Sequence, residues 1–423
     1  MIKMLIIADD FTGALDTGVK FSTAGSRTKV STDTEMDFTA DIPEEVLVLC
    51  APTRHLPARE AYDMIRRIAA RAAAAHIGCI FKKTDSALRG NIGAELSAVL
   101  DGSGEKCLCF IPALPGMNRI TVEGIHYVDG VPVHQSVFGQ DPFEPVRESC
   151  VPDLLHLQCD VPVKIIPSGE TESFQPGDET CIYLFDCASK EDMEKEVRIL
   201  HQQHRLNILA GCAGLAESLP AYLGLTMGVK PAEEAAADRL TVVCGSVNPI
   251  SCSQMDYGEQ RGYHRVHIPA DRLLSDNDLS TGSGAMMMDY LWNLYSQFPY
   301  LMIDSLQSGG EQVLEGTLEL TLEDIRQKIS RQMGLILKKL IDRGADSRFM
   351  IIGGDTLLAF MEAIQCRELK PICELQPGVV LSRITYRNRQ YEIISKSGGF
   401  GEESLLVTLR GEREIVKKQP AVF

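Results

Sequence analysis

Residues 4–18 read MLIIADDFTGALDTG, and the way this stretch divides decides the fold. The apolar run KMLIIA (3–8) has the unbroken hydrophobicity of a buried strand. Phe11, Ala14, Leu15, Gly18, Val19 and Ser22 then recur at the spacing of one helical face. The same succession returns along the first half of the chain. EVLVLC (45–50) leads into an Ala- and Arg-rich helical stretch from Pro57 to His76, and GCIFKK (78–83) leads into the helical NIGAELSAVL (91–100). KCLCFIP (106–112), TCIYLFD (180–186) and LNILAG (206–211) supply further strands. Strands that are apolar throughout, separated by helices, imply an α/β fold whose mostly parallel sheet is covered on both faces. Ligands of such sheets bind beyond the carboxyl ends of the strands. Asp9 and Asp10, Arg54, and the segment from Lys83 to Arg89 all fall at such ends.

The chain has 423 residues, too many for one ordinary core, which points to two domains or three. Its formal charge of −16 argues against nucleic acid or an anionic membrane as a partner, while a local basic cluster could still hold a small anion. The thirteen cysteines are scattered, without CxxC or finger spacing, and read as reduced thiols. No apolar run reaches the ~18 residues of a membrane span, and no signal-peptide pattern opens the sequence, so a cytoplasmic protein is expected.

MGVKPAEEAAADRL (227–240) lacks apolar periodicity and reads as the linker between a domain at 1–228 and one at 238–423. Beyond it LTVVCGS, YHRVHIP and RFMIIGGD open a second strand and helix series. Residues 270–320 are weakly patterned, and Leu322, Ile325, Ile329, Met333, Ile336 and Leu340 stripe a long amphipathic helix. Two such domains, each a mostly parallel sheet covered by helices, are expected to face one another across a cleft.

Three constellations carry chemistry. The first is the aspartate doublet. Asp10 can cap the helix that follows, leaving Asp9 in the loop; alternatively, one carboxylate orients or deprotonates a substrate hydroxyl, or helps hold a metal. The second is FKKTDSALRGN (81–91), which crowds Lys82, Lys83, Asp85, Ser86, Arg89 and Asn91 onto one strand-to-helix connection. Basic groups suit a carboxylate ligand, Ser and Asn suit hydroxyls, and Asp can accept a proton. A solvated turn is the plainer alternative. Arg54, in LCAPTR, is surface or ligand according to what stands beside it. His126 and His134 lie in GIHYVDGVPVHQSVFGQDPFEP (124–145) without metal-ligand spacing, in a long loop or hairpin suited to act as a lid.

The third constellation is a set of glycine loops, CGSVNPIS (244–251), IIGGDTLLAF (351–360) and SKSGGFGEES (395–404), each between a strand and a helix. Glycine lets backbone approach a phosphate, and a helix N-terminus offers free N–H groups. Neither GxxxxGK[ST] nor GxGxxG is present. Three such loops in one domain favour a nucleotide site over three tight turns.

With these residues in hand, the chain resembles the four-carbon acid sugar kinase family along nearly its whole length. The resemblance rests on ADDFTGALDTG, KKTDSALRGN, FIPALPG, GIHYVDGVPV, CGSVNPIS, IIGGDT, LQPGV and KSGGFG. It implies an N-terminal sugar-acid domain, a C-terminal nucleotide domain, and ATP-dependent phosphorylation of threonate, erythronate or an oxo-tetronate, with Mg²⁺ accompanying ATP. It further implies that Asp10, Arg54, Lys82, Lys83, Thr84 and Asp85 touch the acid, to which the reading of the residues themselves adds Asp9, Ser86 and Arg89. Asp10 or Asp85 would be the base, and Asp9 would hold the loop or the metal. Ser246, Gly353, Gly354, Asp355, Thr356, Gly398 and Gly399 would touch ATP. No metal-ligand set is identified, and the oligomeric state, including a homo-oligomer, stays open. Phe11 stands where the family more often has Leu, and PALPGMNRIT (112–121) departs from the family's proline-rich loop, which leaves the identity of the acid open. A non-catalytic sugar-acid sensor, or a sugar-acid aldolase or isomerase, are the alternatives. Intact phosphate loops speak against the first, and the lack of a His cluster or of an apolar Schiff-base lysine speaks against the second.

Overall fold

The computed structural model describes residues 2–141, 144–226, 228, 237–274, 278–305 and 320–410. Most of the expected linker therefore lies outside the described residues. The chain divides into two compact units, one of residues 1–231 with 367–373, the other of residues 232–366 with 374–423.

In the first unit the strands are β1 (Met4–Ala8), β2 (Thr28–Ser31), β3 (Val46–Cys50), β4 (Cys79–Lys83) and β5 (Cys107–Ile111). A hairpin excursion follows with β6 (Arg119–Val122), β7 (Ile125–Val128) and β8 (Val131–Pro132), and then β9 (Val163–Ile166), β10 (Cys181–Phe185) and β11 (Ile208–Gly211). The sheet order is β2-β3-β1-β4-β11-β5-β10-β9, and every one of these pairings is parallel. β1, β3 and β4 are buried at every position, as apolar strands covered on both faces must be. Glu368 and Leu369 add an antiparallel edge against β2, while β6, β7 and β8 form a small antiparallel sheet of their own.

The register of this sheet brings distant sequence together. Ala8 pairs with Cys50 on one side and with Lys83 on the other. The loops after β1, β3 and β4 therefore leave the sheet side by side. β3 lies on one flank of β1 and β4 on the other, so the chain changes direction across β1, which is where such sheets form a ligand crevice.

The second unit holds β12 (Leu240–Cys244), β13 (His264–His267), β14 (Tyr300–Asp304), β15 (Arg348–Ile352), β16 (Glu368–Gln376), β17 (Val379–Tyr386) and β18 (Arg389–Lys396), with the first part of β16 belonging to the other unit. Its order runs β13-β14-β12-β15-β18-β17. All pairings are parallel except β17 with β18, a hairpin closed by Arg387 and Asn388 at φ 49° and 62°. Two successive positive φ values are the turn that matches strand twist. Again the ends align: Cys244 pairs with Ile352, and Ile352 with Lys396.

The weakly patterned stretch contains a helix, Gly282–Gln297, followed by β14. Met288, Leu291, Leu294 and Tyr295 are its buried face, but Met286 and Tyr290 are exposed and blur the periodicity. The long helix Leu322–Asp342 buries Met333, Ile336 and Leu340 as expected. Among the described residues no helix is long and apolar enough to cross a membrane.

Candidate active site

Asp10 caps the helix Phe11–Thr23, its Oδ1 accepting the Gly13 N–H at 3.0 Å. It does more than cap. Arg54 reaches over from the β3 loop, donating through Nε to Asp9 Oδ2 at 2.7 Å and pairing through Nη2 with Asp10 Oδ1 at 2.9 Å. The same Nη2 stands 3.6 Å from Asp85 Oδ1. The β4 loop closes the cluster, because Arg89 grips Asp85 with two parallel bonds of 3.0 Å each. Asp85 Oδ2 also accepts the Ala87 N–H at 3.1 Å. Arg54 thus lies among three aspartates from two other loops.

Burial works to raise the carboxyls of Asp9 and Asp85. Arg54 and both lysines outweigh it at Asp9, and Arg89, Arg54 and Lys83 outweigh it at Asp85, so both are held below the usual carboxylate range. Both oxygens of Asp85 are engaged. Asp10 differs: its side chain is 27% exposed, and both its partners sit on Oδ1, leaving Oδ2 open among the described residues.

The two lysines of β4 alternate sides, as strand neighbours do. Lys82 is fully buried against Glu95 of the helix Ile92–Ser103 at 2.9 Å, and Thr53 donates its hydroxyl to the other Glu95 oxygen. Lys83 is 4% exposed and, among the described residues, its ammonium has no hydrogen-bond or ion-pair partner. It reaches the start of the first helix: a methyl group placed on Gly13 would collide with Asp10 Oδ1 and lie 2.7 Å from Lys83 Nζ. That crowding explains the glycine of DDFTG. Thr84 is buried and bonded through its N–H to Gly211 O, while its hydroxyl has no partner among the described residues. Asn91 serves the backbone, donating to the carbonyls of Thr53 and Leu56 and so holding the Arg54 loop.

Arg119, at the start of β6, is the residue that sequence reasoning missed. It is 9% exposed, donates to Ser86 Oγ and, among the described residues, has no carboxylate partner. Phe138 lies under both Arg119 and Arg89, at 5.0 and 5.1 Å from ring centre to guanidinium carbon. His126 of β7 ties this hairpin to the β4 loop. Burial pushes its imidazole down to about 4, so the neutral ring donates Nε2–H to Ser86 O and accepts from the Thr121 hydroxyl, each at 3.0 Å. An arginine opening a short strand amid apolar alternation was the available signal.

In the second unit the three glycine loops meet. Gly245 donates to Ile352 O, Gly353 donates to Lys396 O, and Ser251 Oγ donates to Gly398 O at 2.9 Å. A methyl on Gly245 would strike Thr356 Oγ1, and one on Gly398 would strike Ser246 Oγ. Gly353 has φ 113° and precedes the helix Gly354–Ala363 without any side-chain cap, so the first N–H groups of that helix are unclaimed by a capping side chain. Thr356 Oγ1 is buried in the same place and, among the described residues, unpartnered. A cradle closed to side chains, lined by a free hydroxyl and helix N–H groups, fits a nucleotide's phosphates. Asp355 points elsewhere, exposed and paired with Arg326 at 2.8 Å. Gly399 is open, with Asn248 Nδ2 3.7 Å from where its methyl would be.

Comparison with known families agrees with this division. A family described as a sugar-binding N-terminal domain matches residues 4–219, and one described as a nucleotide-binding C-terminal domain matches residues 241–406. The chain belongs to the four-carbon acid sugar kinase family. It is an ATP-dependent sugar-acid kinase. It is 27% identical to a D-threonate kinase of Salmonella typhimurium, over 96% of this chain and 97% of that one. It is 25% identical to a D-erythronate kinase of Heliobacterium modesticaldum, over 96% of each. A crystal structure from Salmonella typhimurium LT2 matches it with a TM-score of 0.80 at 21% identity, covering 98% of this chain and 100% of that one, a likeness of fold.

Proposed function

We propose that this kinase phosphorylates a four-carbon sugar acid of the threonate or erythronate type, with Lys83 and Arg119 receiving the acid's carboxylate and Asp10 acting as general base. The observation that carries this reading is a pair of buried cations without carboxylate partners beside a carboxylate with one free oxygen. Both cations feel the Asp85 carboxylate only through space, and an anionic ligand would supply the direct carboxylate partner that each lacks among the described residues. The family and the relatives' substrates support four carbons.

In this reading Arg54 is a positioning residue that holds and aims Asp10, with Asp9 and Asp85 completing its charge balance. Asp10 Oδ2 takes the proton of the hydroxyl as its oxygen attacks phosphorus. Asp85 is a poor base because both its oxygens are occupied and its proton affinity is low. ATP would be seated on Ser246, Gly353, Gly354, Thr356, Gly398 and Gly399 and would pass its terminal phosphate to that hydroxyl. Mg²⁺ would accompany the phosphates and neutralise their charge, on which phosphoryl transfer depends. The thirteen free thiols support a reducing, cytoplasmic setting.

Release of ADP, measured with D- and L-threonate, D- and L-erythronate and the uncharged four-carbon polyol threitol, tests the proposal. Turnover with at least one acid and none with threitol is expected. Equal turnover with threitol would overturn the anion site.

A further inference from the structure

Lys396, the last residue of β18, is 1% exposed, and among the described residues no carboxylate pairs with it. Its ammonium instead gathers backbone carbonyls. It donates to Ser397 O, Gly398 O and Phe400 O, each at 3.0 Å, and lies 3.3 Å from Ser251 Oγ. Gln254 Nε2 adds a second bond to Phe400 O at 3.1 Å.

A trans peptide directs its C=O and its N–H to opposite sides. Turning the Ser397, Gly398 and Phe400 carbonyls inward onto one ammonium therefore turns the N–H groups of Gly398, Gly399 and Gly401 outward. Among the described residues none of those three N–H groups has a hydrogen-bond acceptor. Successive free N–H groups in a glycine turn form an anion-binding nest. The nest borders Ser246 and Asn248 of the β12 loop, against which a methyl on Gly398 would fall. The lysine is thus behind the loop, with its charge transmitted through three peptides.

We propose that Lys396 is a positioning residue that shapes the 397–401 loop into a phosphate nest, so that removing its charge, by substitution or at alkaline pH, weakens nucleotide binding. This rests on the reading of the second unit as the ATP site. Burial pushes the Lys396 ammonium down to about 8. Among the described residues the one titratable group that acts on it is Cys244 of β12, whose thiol burial raises to about 12 and keeps neutral. A bound polyphosphate would hold the proton on Lys396, so nucleotide affinity falls as pH rises through 8. The loss should be about tenfold between pH 7 and pH 9 by proton linkage.

The test is calorimetric titration of the full chain with a non-hydrolysable ATP analogue at pH 7 and pH 9, for wild type, Lys396→Met and Ser251→Ala. Wild type should lose about tenfold in affinity across that range. Lys396→Met should bind at least tenfold more weakly at pH 7, without further loss at pH 9, while its affinity for D-threonate stays within twofold of wild type. Ser251→Ala should retain the wild-type pH slope. Wild-type affinity that is flat from pH 7 to pH 9 overturns the inference even if Lys396→Met does not fold, as does a Lys396→Met protein that binds like wild type. Wild type that does not bind the analogue at pH 7 overturns the reading of the second unit itself, and the inference with it.

Discussion

The loops that leave β1, β3 and β4 crowd Asp9, Asp10, Asp85, Arg54, Arg89 and Lys83 into one network, whereas those that leave β12, β15 and β18 are mainly glycine, serine and threonine. On the proposed reading, side chains of both signs do the binding in the first cluster, where opposite charges fix one another's position. On the same reading backbone does it in the second, and the charge proposed to organise that backbone is Lys396, which bonds the loop's carbonyls from behind. The difference follows the chemistry of the two ligands. A small acid must be told from other small molecules by placed charges and hydroxyl contacts. A polyphosphate has charge enough that oriented N–H groups suffice.

The sharpest way to break this contrast is at Asp10. Asp10→Asn keeps a competent helix cap, so its melting temperature should stay near that of wild type. Its kcat should fall by about 10²–10⁴, the usual loss for a general base. Asp85→Asn should instead lower the melting temperature, since Arg89 and Arg54 would lose a buried partner. An Asp10→Asn enzyme with wild-type turnover in a steady-state assay would reduce the doublet to its capping role.

Next in size is Lys83. Lys83→Met keeps the length of the side chain and removes its charge. Loss of a charge-assisted bond of about 1.5–3 kcal/mol raises KM for the acid roughly 10–100-fold, with KM for ATP unchanged. In the second unit Gly245→Ala drives a methyl into Thr356 Oγ1. Overpacking of about 1–3 kcal/mol should weaken binding of the ATP analogue by roughly tenfold or more, leaving affinity for the acid alone. Calorimetry with each ligand separately reads both effects.

The smallest effect is one of stability, away from both clusters. Glu196, in the helix Lys190–Gln202, is 3% exposed, and among the described residues neither of its oxygens has a partner. Burial, with Asp192 and Asp186 adding to it, pushes its carboxyl up to about 9. The folded chain then holds a proton that the unfolded chain loses near 4.5, so stability declines as pH rises from that value to about 9. Glu196→Gln removes the decline. Its melting temperature should match wild type at pH 5 and exceed it at pH 9 by roughly 2–4 °C or more, the scale of a 1 kcal/mol change. Parallel melting curves at the two pH values would refute the buried proton.

Much of this was legible in the sequence, for stated reasons. Buried parallel strands are apolar along their whole length, so β1, β3, β4, β12 and β15 stood out, and the chemistry at their ends came with them. The hairpin β17–β18 was hidden because its turn is Arg-Asn rather than a pair with glycine. Arg119 escaped because what makes it notable is the absence, among the described residues, of a carboxylate partner, which only tertiary packing reveals. Lys396 was quoted among the glycines without a role, since a lysine facing into a loop reads the same as one facing water. The role of Arg54 likewise depended on register: only the alignment of Ala8 with Cys50 and Lys83 sets it among three aspartates.

The contrast between a side-chain site and a backbone site is tested most directly by steady-state kinetics with both substrates varied, for Arg119→Met and Gly398→Ala. Arg119→Met should raise KM for the sugar acid about 10–100-fold and leave KM for ATP within twofold of wild type. Gly398→Ala should do the reverse, raising KM for ATP roughly tenfold or more while KM for the acid holds. Crossed effects of that kind are the prediction; both variants shifting the same KM, or each shifting the other's, would contradict the account.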